Sequence, residues 1–472
     1  MHTTRIAPQS SPQYALTQVS LPAAHSASLY GMRLARLKFV YGSIVLLITA
    51  AWLATAWPVS DAFWPMRRAF VMYTGLLAIG SMSAAIVLAA RPVQFEPLLG
   101  GLDKYYRLHK WLGIGAAMTA LAHWLAVSAP RTMAQLGWIE GPRRHRAANA
   151  AAGSDAFHAL RESAADLGEW AFYLFLVLIV LALWKRVPYR HFFRAHKLMA
   201  PVYLVLVYHS VVLMGREYWT AAAGPLMALL LAAGSTAAFA SMFGRIGKSR
   251  RAVGVIESLA HHRDNAVLDV SVRLDTAWPG HQAGQFAFVE FDRTEGAHPF
   301  TISSAWRGDG RLMFGIKGLG DYTRTLPEQL RVGQAVTVEG PYGRFDFRDK
   351  GRRQIWIGGG IGIAPFIAGL QQLASREPSA NIDLYYSTDA PADDFIDNLR
   401  SLAQRAGVRF HLVLPQQEGR LTLDRLAREV PEWQEAEVWF CGPKAFGDAI
   451  REAMSARGFN AARFHQELFD MR

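Results

Sequence analysis

Five stretches of this chain contain no Asp, Glu, Lys or Arg over bilayer-like lengths: Phe39–Trp57, Ala69–Ala90, Trp111–Pro130, Leu198–Gly215 and Tyr218–Gly244. A sixth, Trp170–Trp184, is shorter but extends through Gly168 and Leu167. A spanning helix needs about 20 mainly apolar residues. Buried helices of soluble proteins are amphipathic and seldom run uncharged for so long. In lipid the backbone must satisfy its own hydrogen bonds, so these stretches are expected to form a six-helix transmembrane bundle. Residues 1–30 are polar, lack the apolar core of a secretory signal and read as a disordered leader.

The basic residues set the expected orientation. Arg33, Arg36 and Lys38 precede the first span, Arg107 and Lys110 open the third, and Lys185, Arg186, Arg190, Arg194 and Lys197 fill the fourth-to-fifth link. Arg245, Lys248, Arg250 and Arg251 follow the sixth. With both termini cytoplasmic, all four groups lie inside, and loop 131–166 lies outside. That loop carries Arg143, Arg144 and Arg146 but also Glu140, Asp155, Glu162 and Asp166. The formal net charge of +12 therefore belongs to membrane topology, with no nucleic acid implied.

Ionisable residues within spans are functional candidates. His109 and His123 lie 14 residues apart in the third span, and His196 and His209 lie 13 apart in the fifth. The first pair projects from nearly one face, about 21 Å apart along the axis, and the second is about 20 Å apart. Thirteen residues leave an ideal helix about 140° off face. Pro201 lies between and can rephase it. His191 is a rival partner, at a separation of about 27 Å that does not match the third span. Zinc would gather three or four ligands in one place. Two pairs, one near each membrane face, suit two haems with axial imidazoles in a bundle core. A hydrogen-bonded interior role is the alternative for any single histidine. The chain has one cysteine, Cys441, which excludes intramolecular disulfides, Cys-based zinc sites and Cys-ligated iron–sulfur clusters.

From about Gly247 the composition turns ordinary. Short strands separated by Gly and Pro turns over 247–350 predict an antiparallel β-barrel. From 351 strands and helices alternate, predicting an α/β parallel sheet that binds a nucleotide. Three motifs stand out: His298-Pro299-Phe300-Thr301-Ile302-Ser303-Ser304, the turn Gly358-Gly359-Gly360-Ile361-Gly362-Ile363-Ala364-Pro365, and Cys441-Gly442-Pro443. The glycine-rich turn follows a strand and opens a helix, so its backbone amides and the helix N-terminus suit a pyrophosphate. A merely tight turn is the alternative there, and a small buried residue is the alternative for Cys441.

Together these motifs resemble the ferredoxin–NADP reductase superfamily. With the six spans, the histidine spacings and the terminal Phe464-His465-Gln466-Glu467-Leu468-Phe469, residues 30–472 resemble the NADPH oxidase/ferric reductase family, in a bacterial member. The resemblance implies a haem domain over 31–246 with two b haems, FAD on the barrel at 247–350, and NADPH or NADH on the sheet at 351–472. It implies that His298, Pro299, Phe300, Thr301 and Ser303 contact FAD, and that Gly320, Asp321 and Thr323 lie near its phosphates. Asp321 or Thr323 could instead cap a helix. It places Gly358, Gly359, Gly360, Gly362 and Pro365 with Cys441, Gly442 and Pro443 beside the nicotinamide nucleotide, and Phe469 near the flavin, with a core aromatic as the alternative. Between the coenzymes, Asp389 fits a ribose hydroxyl as in NAD sites, while Arg420 could meet a 2′-phosphate; the family favours NADPH.

The expected activity is electron transfer from cytoplasmic NAD(P)H through FAD and two bis-His haems, across a bacterial inner membrane, to an external acceptor, O2 or a ferric chelate. An electron-donor module for an extracytoplasmic redox protein and a non-redox transporter with a nucleotide-sensing domain are the competing readings. No protein base or nucleophile is required, since the cofactors carry the chemistry. No Asp-rich calcium loop is evident.

Overall fold

The computed structural model describes residues 31–140, 155–184, 186–347, 352–375 and 381–467. The leader, Arg143–Arg146 and Phe469 lie outside the described residues. Among the described residues six helices are long and apolar enough to cross a membrane: Leu37–Ala56, Phe63–Ala89, Leu102–Gln135, Ala156–Leu183, Tyr189–Leu213 and Ala223–Met242. Each overlaps an expected span. The second is the most buried of them, with Leu76, Ile79 and Met82 in the bundle core. There the Ser83 hydroxyl meets the Tyr203 phenol of the fifth span at 2.8 Å.

Two spans depart from the sequence pattern. The fourth begins at Asp155 and runs 29 residues, about 43 Å. Glu162 and Asp166, expected in the outer loop, therefore ride on a helix that outruns a hydrocarbon core of about 30 Å. Nothing between 155 and 167 breaks a helix, because that segment has neither Gly nor Pro. The fifth span is two helices, Tyr189–Lys197 and Met199–Leu213, broken at Leu198. Pro201 has no N–H for the Lys197 carbonyl, which removes the bond that would have carried one helix through. Pro130 does the same to the Ala126 carbonyl in the third span, and Arg67 repairs it. The Arg67 side chain donates to the Ala126 carbonyl at 2.7 Å and to that of Val127 at 3.0 Å.

The next unit is a six-stranded antiparallel sheet: β1 (Arg251–His262), β2 (Val267–Leu274), β3 (Phe286–Glu290), β4 (His298–Thr301), β5 (Arg311–Lys317) and β6 (Ala335–Tyr342), in the order β4-β3-β6-β1-β2-β5. Burial alternates along β2 and β5, so one face packs a core that includes Val270, Val272, Phe314 and Val338. The outer strands meet where Ile302 bridges Phe314 and the Ser303 N–H donates to the Met313 carbonyl at 2.8 Å. The sheet thereby curls toward the expected barrel, its two edges joined at that bridge and not by a full strand ladder. β4 is the His-Pro-Phe-Thr motif itself. It pairs with β3 on one side, an edge position that tolerates Pro299.

The last unit is a parallel sheet of β7 (Gln354–Gly359), β8 (Ile382–Ser387), β9 (Arg409–Val413), β10 (Glu437–Cys441) and β11 (Phe464–Gln466), in the order β11-β10-β7-β8-β9. Every residue of β7 and β10 is buried, as expected of strands covered on both faces by helices.

Membrane half and barrel share a core. Leu99, Leu102, Tyr105 and Leu108 pack with Phe286, Phe288 and Tyr342. Polar contacts reinforce it. Arg91, just past the second span, bonds Glu339 of β6 at 2.5 Å, and its guanidinium lies 4.2 Å from the Phe288 ring centroid. Glu339 also accepts from Arg251 at 3.1 Å and from the Tyr342 hydroxyl at 2.9 Å. The Gly343 N–H donates to Glu96 at 3.0 Å.

Candidate functional site

The third and fifth spans bring their histidines together two by two. The rings of His109 and His196 stand 5.9 Å apart at 72°, and those of His123 and His209 stand 6.3 Å apart at 81°. His196 sits before the Leu198 break and His209 after it, so the break turns two out-of-phase residues toward one neighbouring helix. His191 is exposed on the same segment.

Three of the four rings are fixed by a carbonyl. His109 Nδ1 is 2.8 Å from the Ala85 oxygen, His123 Nδ1 is 2.9 Å from that of Val71, and His209 Nδ1 is 2.8 Å from that of Ala164. A carbonyl only accepts, so Nδ1 holds the proton and Nε2 keeps its lone pair, the form in which imidazole binds a metal. His196 Nδ1 is buried without a hydrogen-bond partner, and that ring is held by stacking on Phe192 at 5.2 Å. Among the described residues no three His, Cys, Asp or Glu side chains gather as a zinc site would require. Two-ligand pairs fit a haem iron instead.

Gly168 explains how His209 gets its place. A Cβ at Gly168 would run into the His209 ring. Gly168→Val is expected to displace that imidazole and lower haem content by about half, read by pyridine haemochrome assay, with Gly42→Val, where a Cβ meets nothing within 4 Å, as the control.

The second candidate site is a cleft of about 1790 Å³ between the barrel, the parallel sheet and the start of the fifth span. It is lined by His298, Pro299, Phe300, Thr301 and Ser303, by Gly320, Asp321 and Thr323, and by Gly359, Gly360, Gly362, Gly442 and Pro443. The structure thus brings together most of the residues singled out in the soluble half. Thr323 also caps its own helix, its hydroxyl accepting from the N–H groups of Gly320 at 3.0 Å and Leu319 at 3.1 Å. Asp389 and Arg420 both line the cleft.

Gly358, Pro365 and Cys441 do not line it. Cys441 is wholly buried in the core of the parallel sheet, and burial pushes its thiol well above the usual range. Its backbone matters more than its sulfur, because a Cβ at Gly362 would strike the Cys441 carbonyl. Gly360, at φ +55°, supplies the left-handed turn. The two glycine-bearing loops close against each other at the carboxyl ends of β7 and β10, where ligands bind in such sheets.

The cleft contains orphaned polar atoms. His298 Nε2 and the Tyr322 hydroxyl are buried without hydrogen-bond partners, and their rings stack at 4.4 Å. Burial pushes the His298 imidazole down to about 4, so it is neutral at ordinary pH and offers one donor and one acceptor. Buried polar atoms left this way fit a polar ligand that would complete them.

Sequence reasoning missed the contribution of the membrane half to this cleft. Arg186, Tyr189 and Arg190 form part of its wall. The signal was present: Tyr189, Phe192, Phe193 and His196 recur at helical spacing on one face.

Glu467 sits where the units meet. It is 7% exposed. Burial first, and Asp103 second, push its carboxyl up to about 8 against relief from Lys104. A carboxyl raised above its unfolded value near 4.5 stabilises the fold fully below that value, and the stability is lost as pH rises through 8. Thermal stability is expected to fall between about pH 5 and pH 8, and Glu467→Gln to flatten that slope in a differential scanning series.

Two family descriptions match the chain: "ferric reductase like transmembrane component" over residues 74–207 and "FAD-binding domain" over 259–346. Among curated relatives, the reductase component of propane 2-monooxygenase from Rhodococcus jostii is 27% identical, covering 40% of this chain and 56% of that protein. The beta subunit of the heme-dependent oxidative N-demethylase of Ectopseudomonas mendocina is 31% identical, covering 31% and 45%. The chain thus spans about half the length of the curated relatives it matches. An Amycolatopsis cytochrome P450 reductase structure is 24% identical, with a TM-score of 0.41 over 47% of this chain and 70% of that one. The chain therefore joins a segment that matches a ferric reductase like transmembrane component to one that matches an FAD-binding domain, in the order the sequence resemblance implies.

Proposed function

We propose that the chain conducts electrons across a bacterial inner membrane, with NAD(P)H and FAD supplying them on the cytoplasmic side and two b haems relaying them singly to an external acceptor. The observation that carries this is the pair of histidine pairs, each on the same two spans and separated by about 20 Å of helix. In this reading residues 31–246 hold the haems, 247–350 the FAD and 351–472 the nicotinamide nucleotide. Both termini are cytoplasmic, following the basic residues at the span ends.

The chain's own residues position and insulate. His109 with His196, and His123 with His209, present Nε2 lone pairs while the Ala85, Val71 and Ala164 carbonyls hold three of the rings in the right tautomer. Haem held by these two pairs would supply one-electron transfer to the acceptor. On the cytoplasmic side, β4 supplies His298, Pro299, Phe300, Thr301 and Ser303 to one wall of the cleft. The helix Asp321–Gln329 starts there, so its N-terminus favours phosphate charge. The loops at Gly359–Pro365 and Cys441–Pro443 flank the nucleotide. Arg420, which lines the cleft with Asp389, is the candidate partner for the 2′-phosphate of NADPH.

The purified full chain with added FAD should show a bis-imidazole haem spectrum that NAD(P)H reduces anaerobically. A preparation that binds no haem would overturn the reading. Parallel assays of superoxide and of Fe(II) from ferric chelates then assign the acceptor. Turnover appearing only with an added extracytoplasmic redox protein would assign that partner instead.

A further inference from the structure

The cleft and the inner histidine pair are joined by an unbroken run of rings that crosses from the barrel into the membrane half. Tyr322 stacks on His298 at 4.4 Å with 23° between planes. Tyr189 meets the same His298 ring at 4.7 Å. Tyr189 then contacts Phe192 at 5.9 Å. Phe192 lies over His196 at 5.2 Å and 28°, and His196 faces His109 at 5.9 Å. The last four intervals fall within ordinary ring packing, about 4.5–7 Å between centroids, and the Tyr322–His298 stack is slightly tighter, so each ring packs directly on the next.

The arrangement is built in from both sides. Tyr189 and Phe192 belong to the nine-residue helix that precedes the Leu198 break. That helix sends Tyr189 to the barrel and Phe192 to His196. The barrel grips it independently: the Phe193 ring packs on Gly296, and Arg194 donates to the Thr294 carbonyl at 3.5 Å. A helix whose only task was to connect two spans would need neither the stack on His298 nor the stack on His196.

We propose that Tyr189 and Phe192 form the electronic bridge between the flavin site and the inner histidine pair. The proposal rests on the reading of the two sites given above. Each reduced flavin loses one electron at a time, a ferric iron gains it, and the flavin's proton leaves to water in the cleft. NAD(P)H restores the flavin with two electrons and a proton. The bridge residues are neither oxidised nor reduced. Electron tunnelling weakens steeply with the length of the gaps crossed through space, and packed rings shorten those gaps. Tyr189 and Phe192 are positioning residues: they touch His298 and His196 and set the spacing between them.

The test uses the full chain in lipid nanodiscs, loaded with FAD and haem and mixed anaerobically with NADPH. Phe192→Leu is the main variant, because Phe192 does not line the cleft. Phe192→Tyr is its conservative partner, and Tyr189→Phe and Tyr189→Leu form the second pair. Haem content, the low-spin EPR signature and FAD affinity from fluorescence quenching are read first, then flavin bleaching and haem reduction by stopped flow. The expected result is that Phe192→Leu slows haem reduction about tenfold while flavin bleaching persists and Phe192→Tyr keeps the native rate, and that Tyr189→Leu slows haem reduction more than Tyr189→Phe does. Native-rate haem reduction in Phe192→Leu with normal haem and FAD content would overturn the bridge alone. A native protein without a low-spin haem signature would overturn the underlying reading and the bridge with it.

Discussion

His209→Ala is expected to remove the outer haem, abolish reduction of any external acceptor, and leave NAD(P)H bleaching of the flavin intact. The expectation follows from how separately the two pairs are held. His209 lies on the helical segment after the Leu198 break, with its Nδ1 fixed by the Ala164 carbonyl. His196 lies before the break and stacks on Phe192. Neither ring's orientation depends on the other, so losing one pair should leave the second with its ligands and tautomers unchanged. Acceptor reduction should fall by more than the roughly 10–100-fold lost when a ligand-orienting group alone is removed. The measurement is haem per chain and anaerobic reduction spectra of His209→Ala beside His196→Ala. The latter should stop all haem reduction, because the inner pair comes first. If His209→Ala kept its full haem complement, the pairing of His123 with His209 would be wrong.

How much of this could be read from the sequence depended on whether the signal was local. The spans were legible because lack of charge over about 20 residues is a direct statement about the solvent. The same criterion misplaced the start of the fourth span. Glu162 and Asp166 are charged, yet a helix does not end at a charge, and its outer turns extend beyond the apolar layer. Pro201 announced a break, but not that it would fall at Leu198 and so divide the two histidines between separate segments. The barrel strands showed their alternation. β4 was legible as a motif and not as a strand, because Pro299 argues against strand in any propensity scale. Cys441 illustrates the opposite problem. Its place at the carboxyl end of β10 was right, but which way its side chain points depends on the pleat and on the packing of Gly362 against its carbonyl. Tyr189 was readable as one of an aromatic stripe, yet its partner His298 lies more than a hundred residues away. No local pattern names such a partner.

The contact between Arg91 and Glu339 is the extreme case, spanning 248 residues, and it supports the second large prediction. Glu339→Ala is expected to undock the reductase half from the membrane half without unfolding either. Glu339 is 4% exposed and is met by Arg91, Arg251 and Tyr342. Removing the carboxylate leaves the Arg91 guanidinium against the Phe288 ring with its counter-ion gone. Breaking one side of a buried pair costs about 3–5 kcal/mol, which exceeds what one hydrogen bond such as that from Gly343 N–H to Glu96 restores, about 1 kcal/mol. Arg251, at 41% exposed, can turn to solvent and loses less. Glu339→Gln should fall between, since it keeps an acceptor for Tyr342 but no charge for Arg91. Both halves keep their own cores, so FAD and haem contents should stay near native in Glu339→Ala, while NADPH-driven haem reduction slows and the segment around Gly244–Arg250 becomes open to protease. Dithionite, which reaches haem without the reductase half, should reduce the variant as fast as the native protein. Were NADPH-driven reduction also native in rate, the charged contact would be incidental, and the shared apolar core of Leu102, Tyr105, Phe286 and Phe288 would suffice to hold the two halves in register.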